Sequence, residues 1–157
     1  VFQIERQEQP LDQDIIAEAS LSLDYPIIVS VGNKRYTIGS KDEYLYKRLA
    51  IQAAIRRKKK AMVFMNQHSR EQLRQSTIEN LMQSEKRYVA HKQHVYSKRL
   101  IEICLKNKAA TLLLVDQTEK EQQAKEDPFL FRNWGYYGLK QKIERKAERV
   151  GIAVLVE

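Results

Sequence analysis

The sequence has 157 residues, enough for one domain with a real hydrophobic core, and 28 lysines and arginines against 20 acidic residues give it a net charge of +8. Its single cysteine, Cys104, excludes an internal disulfide and a Cys-x-x-Cys zinc site, and no apolar run approaches the roughly 18 residues that a membrane span requires. We therefore expect a cytoplasmic protein with no membrane contact. Its basic charge indicates either a polyanionic partner, most often nucleic acid, or simply a well-solvated surface.

The first part of the chain predicts a linker and then a three-stranded meander. Val1–Asp14 is polar, so we expect a linker or the end of an upstream domain there, with residues 15–157 forming one domain of a longer protein. After a first strand, apolar runs predict a second strand at Ile27–Val31 and a third at Arg35–Ile38. Gly32–Asn33 between them is typical of a two-residue hairpin turn.

A helix with a cationic end is predicted next. Ser40 is suited to cap its first turn, and Leu45, Leu49 and Ile55 recur at helical spacing on one face. The pattern ends in a run of cations: Arg56, Arg57, Lys58, Lys59 and Lys60.

A longer helix is predicted from about Glu71 to Leu105, with Ser69 as its N-cap. At 1.5 Å per residue it would be about 50 Å long, more than one sheet can cover, so part of it must face something else. Its second half contains a stretch of fourteen residues without an acidic side chain, which favours contact with a nucleic-acid backbone over a merely solvated face. The cations expected to take part are Lys86, Arg87, Lys92, Lys98 and Arg99.

The rest of the chain predicts the parallel part of a sheet. Ala109–Asp116 is a continuous apolar run, typical of an interior strand covered on both faces. After an aromatic segment, Phe129–Tyr137, Asn133 is suited to cap a last helix that ends at Gly151, and Ile152–Val156 predicts a further buried strand. Helix, glycine and strand in this order are typical of a right-handed crossover that returns beside a parallel neighbour.

Three stretches carry a family resemblance. The first is Glu18–Leu23, EASLSL, with the strand that follows it, and the second is Tyr96–Asp116. The third combines Asn133-Trp134-Gly135-Tyr136-Tyr137 with Lys146-Ala147 and Gly151-Ile152, a spacing that rarely occurs by coincidence. Together, and in this order, they resemble the RuvC-like domain of the TnpB and type V CRISPR effector family over nearly the whole chain. The resemblance implies an α/β fold, an RNase H/RuvC-like mixed sheet with a long helical insertion.

The same resemblance implies a degenerate nuclease site. The family hydrolyses phosphodiesters with two Mg²⁺ ions, which need several carboxylate oxygens to lie side by side. Aligned without a gap, the first acidic position holds Ser20 and the second, at the end of the central strand, holds Val115; the third acidic motif and a zinc ribbon would lie beyond Glu157. We therefore expect no nuclease activity, no cofactor and no bound metal. A register shift would instead offer Asp24 and Asp116, and with them an active Mg²⁺-dependent endonuclease.

Within the family, loss of the acids implies RNA-guided DNA binding that stops short of cleavage. Guide RNA would read the target by base pairing, and the protein would hold guide RNA and target DNA in a basic channel lined by Arg56–Lys60 and the long helix. Two kinds of nuclease-dead relatives fit: type V-K effectors, whose partners would include transposition proteins, and TnpB-like transcriptional repressors. A different class also stays open, an α/β scaffold that docks a protein partner through Phe129–Tyr137.

Overall fold

The computed structural model describes residues 11–21, 25–115 and 136–156, which form a five-stranded sheet and four α-helices. The strands are β1 (Asp12–Leu21), β2 (Ile27–Val31), β3 (Lys34–Ile38), β4 (Ala109–Leu114) and β5 (Ala153–Val156). The helices are α1 (Lys41–Met62), α2 (Gln67–Leu73), α3 (Glu79–Lys106) and α4 (Tyr136–Val150), and a π-helical turn at Arg74–Ile78 joins α2 to α3.

The sheet has the order β3-β2-β1-β4-β5, and it is mixed. β1, β2 and β3 form the predicted antiparallel meander, while β4 is parallel to β1 and β5 is parallel to β4. All of α1, α2 and α3 lies between β3 and β4, so the predicted long helical insertion is present. The strand that follows the last helix has the parallel neighbour that the sequence predicts.

The β2–β3 turn is fixed by one glycine. Val31 pairs with Lys34 across Gly32 and Asn33, which makes this a two-residue hairpin. Gly32 has φ +59°, the conformation that the first central residue of a type II′ turn requires and that a side chain would oppose. The predicted turn therefore sets the β2–β3 register, and β3 begins one residue earlier than predicted.

One hydrophobic core joins the helices to a single face of the sheet. Because side chains alternate along a strand, Ala17 and Ala19 of β1 lie on the same face as Leu112 of β4. These side chains belong to one cluster with Leu100 of α3 and Ile143 of α4, all of them fully buried. Helices therefore cover one face of the sheet. Among the residues that the structure describes, none covers the opposite face.

The long helix differs from the prediction at its start. It begins at Gln67 rather than near Glu71, and its N-cap is Asn66, whose side chain accepts a hydrogen bond of 2.8 Å from the backbone N–H of Ser69. Ser69 is thus the donor to the cap and not the cap itself. Earlier along the chain Ser40 does cap α1, through a 3.1 Å bond from the N–H of Glu43, but Leu49 is 39% exposed instead of lying on the buried face.

The two parallel strands are less buried than predicted. Apart from Ala109 at its start, the buried residues of β4 lie on the helix side and its opposite face is half-exposed, so the prediction of cover on both faces is wrong within the described residues. β5 is an edge strand with only one half-buried residue, Val154, because nothing pairs with its outer side in the described part of the chain. A run of apolar residues predicts a strand but does not state its place in the sheet.

Candidate nucleic-acid interface

Two positions, Ser20 and Val115, are expected to have lost the carboxylates of a nuclease site, and they lie side by side. β1 and β4 are parallel, with Ala19 opposite Leu114, and the N–H of Val115 donates a 2.9 Å hydrogen bond to the carbonyl of Ala19. Ser20 and Val115, the next residues on the two strands, are therefore neighbours at the carboxyl ends of adjacent strands. Since Ala19 and Leu114 face the core, Ser20 and Val115 lie on the opposite face of the sheet.

This arrangement does not fit a pair of Mg²⁺ ions. A hydroxyl and an isopropyl group carry no charge, and the carboxylate of Glu18, two residues before Ser20 on the same face, is a single anion. In the part of the chain that the structure describes, no group of three or more His, Cys, Asp or Glu side chains could hold a metal ion. Asp24 and Asp116 lie outside the described residues, so the register-shifted site stays a prediction.

The helical insertion forms a hairpin in which α1 packs against α3. A mostly buried ion pair joins them: the guanidinium of Arg48 lies 3.1 Å from the carboxylate of Glu85, which also accepts a 3.3 Å bond from the amide of Gln52. Lys92 of α3 adds a 2.8 Å ion pair to Glu43 of α1. Lys92 was predicted to contact nucleic acid, but its ammonium is engaged with Glu43 and its side chain is only 19% exposed.

The predicted basic run lies at the far end of this hairpin. Arg56 to Lys60 are all exposed and form the last turns of α1 before Met62. The turn that follows presents Phe64, which is 93% exposed, and it is held by Arg70, whose guanidinium donates to the carbonyls of Met62 at 2.7 Å and Val63 at 3.2 Å. Cations at a helix C-terminus also suit the helix dipole, so position alone does not assign them a ligand.

Beside this turn is a groove of about 580 Å³ with cationic and apolar walls. Lys59 of α1 and Arg74 of the π-helical turn provide charge, and Met62 and Ile78 provide apolar surface. Such a combination, together with the exposed ring of Phe64, suits a nucleotide chain, since phosphates take the cations and bases stack on apolar or aromatic groups. Phe64 had no predicted role, although an aromatic residue after a cationic run was a usable signal.

The cations of α3 do not form one stripe. A helix turns by about 100° per residue, so Arg87 and Lys98, eleven residues apart, share a face, whereas Arg99 lies about 100° away from Lys98. Lys98 also approaches Glu102 at 3.9 Å, a weak surface pair with both side chains exposed. Arg99 instead lines a groove beside β3. The predicted set is therefore divided between different surfaces.

A second cationic cluster, which the sequence analysis missed, lies where α4 packs on α3. The ammonium of Lys146 is 2.9 Å from Nδ1 of His94, and the ammonium of Lys142 donates to the side-chain carbonyl of Gln93 at 3.0 Å. Burial and the charges of Lys146, Lys142 and His91 lower the pKa of His94, so its imidazole accepts a proton poorly. We call this group, with Lys98, the α3–α4 seam.

The same surroundings lower the pKa of Lys146, through burial first and then through Lys142, Arg149 and Lys98. Several cations thus lie close together, and all the charged groups that act on these two side chains are basic. Lys142 and Lys146, four residues apart on α4, are visible in the sequence as one helix face. Their meeting with His94 depends on how α4 packs on α3, which no local pattern predicts.

The remaining predicted site features are not described. Residues 129–135 of the aromatic segment Phe129–Tyr137, with the predicted helix cap Asn133, lie outside the described residues. Within the described ranges, the helices are too short or too polar to cross a membrane.

The sheet order, the helical insertion and the parallel return together form a RuvC-like mixed α/β fold, and the predicted fold class is confirmed. A Cas12f1–sgRNA–target DNA complex contains a similar structure, with a TM-score of 0.70 and 22% identity over 94% of this chain. A CRISPR-Cas12f ternary complex gives a TM-score of 0.75 and 20% identity over 96%. This chain spans 29% and 30% of the length of those two proteins. No protein-family model matches the sequence, and no curated protein matches it.

Proposed function

We propose that residues 15–157 are the nuclease-inactive RuvC-like domain of an RNA-guided DNA-binding protein, which holds guide RNA and target DNA without cleaving the DNA. The observation that carries the proposal is that Ser20 and Val115 are adjacent at the ends of β1 and β4. These residues are neighbours where the metal-binding carboxylates of the family would have to meet, and their side chains provide no anionic oxygen. Without these carboxylates, the domain would bind nucleic acid but would not hydrolyse it.

The binding surface in this proposal consists of two cationic regions on the helical insertion and α4. One is the hairpin end, with Arg56–Lys60 and Phe64, and the other is the α3–α4 seam with its neighbour Arg87. Phosphate contacts from these cations would hold an RNA–DNA heteroduplex by its backbone, which requires no reading of its sequence. Lys86 is exposed and stays among the proposed phosphate contacts. Lys92 and Arg99 are left out, because Lys92 forms an ion pair with Glu43 and Arg99 lines the groove beside β3.

The proposal predicts a steep salt dependence of heteroduplex binding. Each phosphate that the protein neutralises releases counterions, so log Kobs should fall against log salt with a slope of about −0.9 for every phosphate bound. Replacing Lys58, Lys59 and Lys60 together by Gln, or Lys142 and Lys146 together by Gln, should reduce that slope by about 1 for each phosphate that is no longer bound. Fluorescence anisotropy of a labelled RNA–DNA heteroduplex measures it.

Lys41→Gln is the matched control for this experiment, because Lys41 is an exposed lysine at the opposite end of α1. It should leave the slope unchanged. Binding without a salt slope, or equal slopes in all variants, would contradict the proposal and favour the protein scaffold. Mg²⁺-dependent cleavage that Asp24→Ala and Asp116→Ala abolish would favour the active nuclease.

A further inference from the structure

Within the described residues, one edge of the sheet is open and lies beside a helix. There β3 is the last strand in the order, so only its inner side pairs, with β2. α3 passes over it, and between them is a groove of about 530 Å³. Its floor includes Ile38 and Ile103, and Tyr36 is fixed there by a 3.3 Å hydrogen bond that its hydroxyl accepts from Asn107 at the end of α3. This hydrogen bond connects β3 to the end of α3, and these two elements form the walls of the groove.

The turn geometry shows which backbone groups of β3 point into this space. In a two-residue hairpin the closing pair exchanges hydrogen bonds, here Val31 with Lys34, and the pairs then alternate. Tyr36 and Ile38 therefore bond to β2, while Arg35 and Thr37 direct their N–H and C=O groups outward. In the described residues no backbone group bonds to these outward groups. They form a short alternating row of donors and acceptors.

The charge around the groove is positive. Among the described residues, Arg99 and Lys106 of α3 and Arg35 of β3 line it, against one acid, Glu102, which already lies 3.9 Å from Lys98. The side chain of Arg35 alternates to the sheet face away from α3, because its neighbour Tyr36 pairs with the buried Val29. Arg35 and Lys34 on an edge strand would also discourage the self-association of sheets, which explains cations on β3 but not those on α3. The additional charges from α3 indicate an anionic occupant.

We propose that this groove binds an acidic peptide segment of another protein, which adds to β3 as an extended strand. The phosphates of a nucleic-acid backbone are acceptors only, so they would meet the outward carbonyls of Arg35 and Thr37 unfavourably. A peptide backbone matches both donors and acceptors. Apolar side chains of the peptide on the α3 side reach Ile103 and Tyr36, and the alternate, acidic side chains lie on the side of Arg35, while Arg99 and Lys106 add positive charge to the groove.

The occupant is therefore a segment of about five residues, as long as β3, with acidic and apolar residues in alternation. This inference concerns a protein partner and does not depend on the nucleic-acid role proposed above. It also assigns Arg99 to a peptide contact.

The test uses the full chain and a fluorescein-labelled peptide of sequence Glu-Val-Glu-Val-Glu-Val-Glu, with binding measured by anisotropy. The same peptide with Lys for Glu, and the same peptide N-methylated at alternate residues, are the ligand controls. We expect binding of the first peptide and at least a tenfold loss with either control, because one removes the charge match and the other removes the backbone bonds.

Variants of the protein test the same contacts from the other side. Thr37→Pro removes an outward N–H while leaving the β2 ladder intact, which an edge strand tolerates, and it should weaken peptide binding at least fivefold. Arg99→Glu with Lys106→Glu should weaken it at least tenfold, and it carries the test if Thr37→Pro does not fold. Lys58→Glu, an equal charge reversal per residue on exposed α1, should leave peptide binding unchanged, although it removes a cation of the proposed nucleic-acid surface.

Failure of the acidic peptide to bind, or unchanged binding of the N-methylated peptide, overturns the proposal. Heteroduplex binding should be the same in Thr37→Pro and the wild type. If Thr37→Pro instead weakens the heteroduplex and the peptide equally, the groove is a nucleic-acid surface and the peptide proposal is wrong.

Discussion

Tyr96 places a polar group in the middle of the core. It is 1% exposed, its ring lies 6.2 Å from that of Tyr44, and Lys92 approaches it at 5.9 Å. In the described part of the chain its hydroxyl is buried without a hydrogen-bond partner. Burial, and then the charge of Glu43, raises the pKa of the phenol far above its usual value. The oxygen is thus neutral and unpaired, which costs free energy.

The packing around Tyr96 depends on a glycine. Gly39 has φ +71°, and a Cβ at this position would lie 2.7 Å from Cε1 of Tyr96. Gly39 therefore serves two purposes: it allows the left-handed backbone between β3 and α1, and it leaves room for the ring.

Tyr96→Phe should stabilise the protein. It removes a buried hydroxyl that has no partner and keeps the ring, so the free energy of unfolding should rise by about 1 kcal/mol. Urea denaturation followed by circular dichroism measures the change. Gly39→Ala serves as the opposite control and should destabilise. A loss of stability in Tyr96→Phe would show that the hydroxyl has a partner.

At the scale of single residues, the sequence predicted the burial of a side chain better than it predicted which residues that side chain contacts. Cys104 was predicted to be a small core residue, and it is fully buried, with its pKa raised to about 11 by that burial. The ion pair of Lys92 was not predicted, because the position of Lys92 in a cationic helix does not indicate that the carboxylate of Glu43 packs against it. That ion pair joins residues 49 positions apart, and no local pattern contains it.

At the scale of elements, the local signals that act within a few residues were reliable. Gly32–Asn33 and Ser40 predicted a turn and a cap, because each needs only its own neighbours. The predicted N-cap of the long helix was wrong. Asn66 and Ser69 are both suitable cap residues, and the choice between them depends on how the chain leaves α1. The exposure of β5 could not be predicted because strand order is a property of the whole sheet.

The α3–α4 seam should make stability depend on pH. The pKa of His94 is lowered in the folded protein by burial and by Lys146, Lys142 and His91, below its ordinary value of 6.5. The unfolded chain therefore takes up a proton on His94 more readily than the folded one, so stability should fall as the pH drops through 6.5 and recover above it.

His94→Gln removes this group, and the variant should lose less stability than the wild type between neutral and mildly acidic pH. Denaturant unfolding at a series of pH values measures it. His68→Gln is the matched control, since His68 is exposed on α2 at the other end of the long helix, and it should keep the wild-type dependence. Identical pH profiles for His94→Gln and the wild type would contradict the account of the seam.

At the scale of the whole molecule, the two faces of the sheet carry different groups of residues. Its helix-covered face builds the core and carries the cationic hairpin and seam on its outside, whereas its other face holds Ser20 and Val115 at adjacent strand ends. The fold class could be predicted from sequence because three motifs occur in the right order. The division of the cations between surfaces could not, because it depends on how α3 packs against α4 and β3.

The central proposal is that Ser20 and Val115 occupy the positions where a nuclease of this fold would need carboxylates to hold metal ions. The most direct test is Mn²⁺ binding, measured by electron paramagnetic resonance on the wild-type chain and on a Ser20→Asp, Val115→Glu double variant. We predict that Mn²⁺ stays free with the wild type and binds the double variant, because the two substitutions put carboxylates on adjacent strand ends. Mn²⁺ bound by the wild type and released by Asp24→Ala with Asp116→Ala would contradict the account and restore the active nuclease.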